Sequence, residues 1–158
     1  MRIAAFLLMI VSLTGCSPAV VKGRAIDMPR YEQVNLRPVA QKLNPAVLEL
    51  ADRPTSAAWL TEVATLAAQI KQQLPGTYRL KVWDAVNSID AGHRDFGAKN
   101  CAQPYPVPPA VPGDDRSQLA HSLAKAQEIN HTLDCGRFLR DAEAALNAIQ
   151  TSFASALI

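Results

Sequence analysis

The sequence predicts an all-α protein, a small helical bundle of three to five helices with a proline-rich extended segment. Three observations carry that reading. Apolar residues recur at spacings of three and four through much of the chain after residue 44. A capping residue (Asn44; Thr55 or Ser56) stands ahead of two of the periodic runs, Gly113-Asp114-Asp115 opens another, and Pro54 and Pro75-Gly76 stop two of them. The one stretch that alternates like a strand, within residues 77–90, would have no strand to pair with.

Asn44-Pro45 opens the first predicted helix, with Asn as cap and Pro in the first turn. Ala46, Val47, Leu48 and Leu50 form it, and it ends before Pro54. Thr55 or Ser56 caps the second. Its stripe is Trp59, Leu60, Val63, Leu66, Ala67, Ile70 and Leu74, and Glu62, Thr65, Gln69, Gln72 and Gln73 make the opposite face. In residues 77–90, Tyr78, Leu80 and Val82 alternate with Arg79 and Lys81. Leu80, Trp83, Val86 and Ile89 recur every three residues, cover more of the segment and favour a helix from Thr77. Residues 92–100 read as a polar loop.

Five prolines at 104, 106, 108, 109 and 112 follow. Proline fixes φ and has no N–H to donate, so this segment is extended or irregular. Gly113-Asp114-Asp115 opens a long helix, with acids at its positive end. Leu119, Leu123, Ala126, Ile129 and Leu133 are its expected buried stripe. Gly136 breaks or weakens it. Phe138, Leu139, Ala142, Leu146, Ile149, Phe153 and Leu157 carry a further amphipathic stretch from Arg137, with Arg137 placed to pair with Asp141 one turn on.

The N-terminus reads differently. Arg2 precedes a mostly apolar run over residues 3–13, and Leu13-Thr14-Gly15-Cys16 closes it. This is the layout of a secretory signal. Eleven helical residues cover about 17 Å, too short for a hydrocarbon core of about 30 Å. The tetrad resembles the lipobox of bacterial lipoproteins: Leu, a small residue, Gly or Ala, then Cys. The resemblance covers only this leader. It implies that residues 1–15 are removed and that Cys16 becomes a lipid-carrying N-terminus. In most Gram-negative bacteria such cysteines carry three acyl chains, ample for stable anchoring. Ser17, a residue other than Asp, implies sorting to the outer membrane. Residues 16–43, punctuated by Pro18, Pro29 and Pro38, are expected to be a tether in which Tyr31, Val34 and Leu36 dock on the domain. Residues 44–158 are expected to be the helical domain.

Loss of the leader takes Arg2 from the 16 Lys and Arg, leaving 15 against 14 Asp and Glu. A near-neutral chain without a basic cluster argues against nucleic-acid binding. Two cysteines remain after Cys16, and an exported chain favours their pairing as a Cys101–Cys135 disulfide. A length comparison makes the pairing feasible. A helix from Asp114 to Cys135 rises about 32 Å. An extended polyproline path from Gly113 back to Cys101 spans about 37 Å. The prolines can thus run back along the helix and bring the cysteines together. Metal ligation by His131 and Cys135, with His121 or His93, is the alternative, but no CxxC or HExxH spacing supports it.

Other chemistry is faint. His93-Arg94-Asp95 matches a kinase triplet without its accompanying motifs. Residues 92–99 approximate a phosphate loop with the lysine one place late. Asp90 with Asp95, or Asp114 with Asp115, are carboxylate pairs of the kind cell-wall hydrolysis needs, and capping or solvation explains them as well. Trp59 and Trp83 suit a core better than a ligand platform. No catalytic residue, cofactor or metal is expected. The expected protein is lipid-anchored at the membrane and faces the periplasm, a non-enzymatic accessory to secretion, conjugation, pilus or cell-wall machinery that docks an envelope protein. An exclusion or immunity lipoprotein of plasmid or phage type, or a cell-wall enzyme or inhibitor, are the other readings.

Overall fold

The computed structural model describes residues 28–74 and 81–158, with side chains from Leu36 onward. The leader, Cys16, Tyr78 and the expected helix start at Thr77 lie outside the described residues. Among the described residues, four helices make an all-α bundle: α1 Met28–Ala51, α2 Ala57–Gln73, α3 Lys81–Ala98 and α4 Asp115–Leu157. Each packs on its neighbours in the ring α1, α2, α3, α4, and α4 closes the ring against α1.

α2 follows its sequence pattern closely. Ser56 is the cap, its Oγ accepting from the Trp59 amide at 3.1 Å. All seven residues of the expected stripe are buried, and the indole N–H of Trp59 donates to Leu50 O at 2.8 Å. That bond ties the start of α2 to the end of α1. Arg53, in the connection between them, holds both carboxylate oxygens of Glu62 at 2.6 and 2.8 Å.

α1 departs from expectation. The tether was to run to residue 43, yet the helix covers Met28–Ala51 with Pro38 and Pro45 inside it. Leu36, Val39, Ala40, Leu43, Val47 and Leu50 are all buried. Each interior proline costs a helix about 3 kcal/mol. Each larger buried side chain returns roughly 1.5–3 kcal/mol, so the apolar face outweighs the two breakers. Both prolines lie on the exposed side of the helix. Arg37 Nε donates to Ala156 O at 3.0 Å, where α1 meets the end of α4.

α3 is helical from Lys81 and continues through the expected polar loop to Ala98. Buried Val82, Ala85, Val86, Ile89, Gly92 and Phe96 keep one face apolar to its end, so Gly92 and Gly97 do not stop it. What stops it is Asn100, at φ 53°. The Cys101 amide returns to Phe96 O at 3.1 Å and the Asn100 amide to Gly97 O at 3.0 Å. These two bonds form a Schellman closure with Asn in the left-handed position usually held by Gly.

α4 is unbroken through Gly136 and rises about 64 Å over its 43 residues. From Cys135 on, its buried residues include Phe138, Ala142, Leu146, Ile149 and Phe153, as expected, while Leu139 is half-buried and Leu157 exposed. Arg137 faces Asp134, 3.8 Å away, rather than Asp141. No polar or charged side chain is buried among the described residues.

The core should therefore respond to volume. Trp59→Ala is expected to cost about 3–5 kcal/mol in urea unfolding, and Trp59→Phe clearly less. Equal, small losses for both would mean that α1 and α2 are not joined as described.

Candidate functional site

Among the described residues, no helix packs beside the first half of α4. α3 ends at Ala98, level with Asp134 across the Lys99–Asp134 ion pair. N-terminal to that level, Ala124 is the one residue of α4 that is buried. The helix leaves the bundle as an arm of about 20 residues, close to 30 Å long.

The proline-rich segment braces this arm. It starts at the Cys101–Cys135 disulfide, whose Cα atoms are 5.5 Å apart, and climbs α4 in the antiparallel sense. Tyr105 Oη lies 2.9 Å from Gln127 Oε1. His121 Nδ1, necessarily the protonated nitrogen, donates to Pro108 O at 2.7 Å. The Val111 amide donates to Ser117 Oγ at 2.8 Å, and that hydroxyl reaches Pro109 O at 3.4 Å. Six residue steps along the strap, from 105 to 111, thus match ten along the helix, from 127 to 117. The rises of the two conformations, about 3.1 and 1.5 Å per residue, make those lengths comparable.

The strap turns into α4 at Val111-Pro112-Gly113-Asp114. The Asp114 amide bonds Val111 O at 3.2 Å, and Gly113 has φ 83°. Pro and then a positive-φ Gly at the two central positions is the sequence of a type II turn. The Asp114 carboxylate then caps α4, accepting from Arg116 N at 3.1 Å and Ser117 N at 3.4 Å.

The strap takes one face of the arm and leaves the other open. Leu119 is 72 % exposed, Leu123 59 %, Ile129 61 % and Leu133 61 %, and Ala126 is exposed with them. This is the stripe that the sequence reading assigned to the core. The residues turned inward are Ser117, His121, Ala124 and His131, a more polar set that suits the carbonyls of a proline strap. Four large apolar side chains on one solvent-facing strip are more than scattered surface hydrophobics require.

The remaining candidates fall into structural roles. Asp114 is a cap, and Asp90 Oδ2 lies 3.2 Å from Lys71 Nζ. His93-Arg94-Asp95 and most of the phosphate-loop candidate, through Ala98, are α3 helix. Trp59 is core, and half-buried Trp83 has Lys71 Nζ 5.8 Å from its ring centre. Cys101, His131 and Cys135 cluster within 4.8 Å, and His93 and His121 do not join them. With the two sulfurs bonded to each other, no thiolate remains to bind a metal. His131 Nε2 instead meets Lys99 O at 2.9 Å.

Among the described residues, two carboxylates are electrostatically perturbed, and both shift downward. Arg53 lowers Glu62 through its hydrogen bond, and Lys99 lowers Asp134 the same way, with help from the charges of Lys99, Arg137 and His131. A glycosidase general acid needs the opposite shift. Compared with protein-family models, curated proteins and solved structures, the chain matches none of them.

Two outcomes follow. Cys101→Ser with Cys135→Ser should lower stability by roughly 3–4 kcal/mol on the loop-entropy model. It should also speed amide exchange in the strap and residues 115–134 far more than in α2. Uniform acceleration, or none, would contradict the strap's role. Asp134, lowered when folded, contributes stability that is present above the ordinary carboxylate value near 4 and is lost as pH falls through its lower folded value. Lys99→Met should raise its titration midpoint, read by carboxyl NMR. An unmoved midpoint would remove Lys99 as the cause.

Proposed function

We propose that this chain is a lipid-anchored protein of the cell envelope that acts without catalysis, by docking another protein on the outer face of its α4 arm. The observation that carries the docking role is the strip Leu119, Leu123, Ile129 and Leu133, exposed on a braced helix. Apolar side chains fixed on rigid backbone lose little entropy on binding, which is what makes a preformed surface useful. The capped start, the type II turn and the disulfide all hold the strip in place while leaving it uncovered.

The anchor rests on Leu13-Thr14-Gly15-Cys16. The Cys101–Cys135 disulfide supports export, because such bonds persist in oxidising compartments. From Cys16 to the start of α1 at Met28 is twelve residues, rather than the 27-residue tether expected. Twelve residues span at most about 40 Å, so the bundle works close to the membrane surface. Its place as an accessory of an envelope assembly follows from an anchor and a binding face together.

The test has two arms. Labelled palmitate should enter the wild-type chain and not Cys16→Ser, and equal labelling of both, or of neither, would refute the anchor. A photo-crosslinking residue at Leu123 should give a protein adduct in native membranes, while one at Ser88, exposed on α3, should not. Absence of any Leu123 adduct would refute the docking face.

A further inference from the structure

The open strip of the arm is symmetric about one residue. Leu123 and Ile129 stand three places either side of Ala126, and Leu119 and Leu133 stand seven. At 3.6 residues per turn the five fall within an arc of about 120° on the face opposite the strap. Such a pattern reads the same from either end. A two-fold axis imposes that property on a self-complementary surface, where residue i meets j and j meets i.

We infer that the partner of this face is a second copy of the same chain, packed antiparallel about a two-fold axis at Ala126. The inference rests on the docking role proposed above and names its occupant. Leu119 then meets Leu133 of the second copy, Leu123 meets its Ile129, and Ala126 meets itself. The small residue sits at the axis, where two helices 8–10 Å apart approach most closely.

The charges beside the strip select the antiparallel arrangement. Asp115 and Arg137, both exposed, lie eleven residues either side of Ala126, so each faces the other's opposite charge at both ends. Arg116 comes beside the second copy's Asp134. A parallel pair would set Asp115 on Asp115, Arg116 on Arg116 and Arg137 on Arg137, which like-charge repulsion disfavours. A bilayer surface fits less well. Residues 115–134 hold two cations, Arg116 and Lys125, against three acids, Asp115, Glu128 and Asp134. Helices that lie on membranes are rich in Lys and Arg.

The experiment is oxidative crosslinking of the full chain, purified in detergent and in native membranes, from single-cysteine additions. Ala126→Cys should form a disulfide-linked dimer by itself. Leu119→Cys alone should not, because its own counterpart lies 14 residues along the axis, about 21 Å away. Leu119→Cys mixed with Leu133→Cys should link. Asp115→Arg should cut the Ala126→Cys dimer roughly fivefold, and adding Arg137→Asp should restore it. No dimer from Ala126→Cys, or equally efficient self-linking of Leu119→Cys, would overturn the inference. If Leu123 photo-adducts in membranes contain only a different protein, the second copy is refuted and the docking role survives. If adducts are absent altogether, both fail.

Discussion

The arm depends on where Cys101 is tied. Its bond to Cys135 fixes the start of the proline strap at the level where α4 leaves the bundle. From that point the strap has little choice of path. Proline holds it extended, the left-handed Asn100 aims it away from α3, and the type II turn at Pro112-Gly113 returns it as α4. Four side chains of α4 and the strap, Gln127, His121, Ser117 and Tyr105, meet in register because the two ends are set. A long helix beyond its bundle would otherwise have only its own hydrogen bonds to hold it.

Much of this was legible in the sequence. α2 declared itself by a cap, a stripe and a stop, and all of its stripe is buried. The Asp114 start, the extended prolines and the matching lengths of strap and helix also followed from the chain, because in this exposed segment no buried apolar face opposes the local backbone rules. The beginning of α1 did not. Pro38 and Pro45 are strong local breakers, and only the burial of Leu36, Val39 and Leu43 on the other side of the helix shows why they are tolerated. The end of α3 was missed for a related reason. Its glycines and charges look like a loop, while Gly92 and Phe96 keep the packing face intact.

The inversion of the α4 stripe has the most functional weight. Periodicity shows that a helix has an apolar face, but not what covers it. In the second half of α4 the bundle covers that face. In the first half the neighbour is a strap of prolines with free carbonyls, which takes Ser117 and His121 inward and turns the leucines out. The same sequence signal therefore marks core in one half of the helix and an open surface in the other. Glu62 and Asp134, the carboxylates lowered among the described residues, are each held by a neighbouring cation, and the sulfurs of Cys101 and Cys135 are bonded to each other.

The most direct measurement is spin-label accessibility scanned one residue at a time over 115–135, first in dilute detergent and then in native membranes. High accessibility is expected at 119, 123, 126, 129 and 133 in detergent, with low values at 117, 121 and 124, and protection of the first set alone in membranes. Low accessibility at 119, 123, 129 and 133 in the dilute protein, with 117, 121 and 124 open, would mean that the strap sits on the leucine face, and the account would fail.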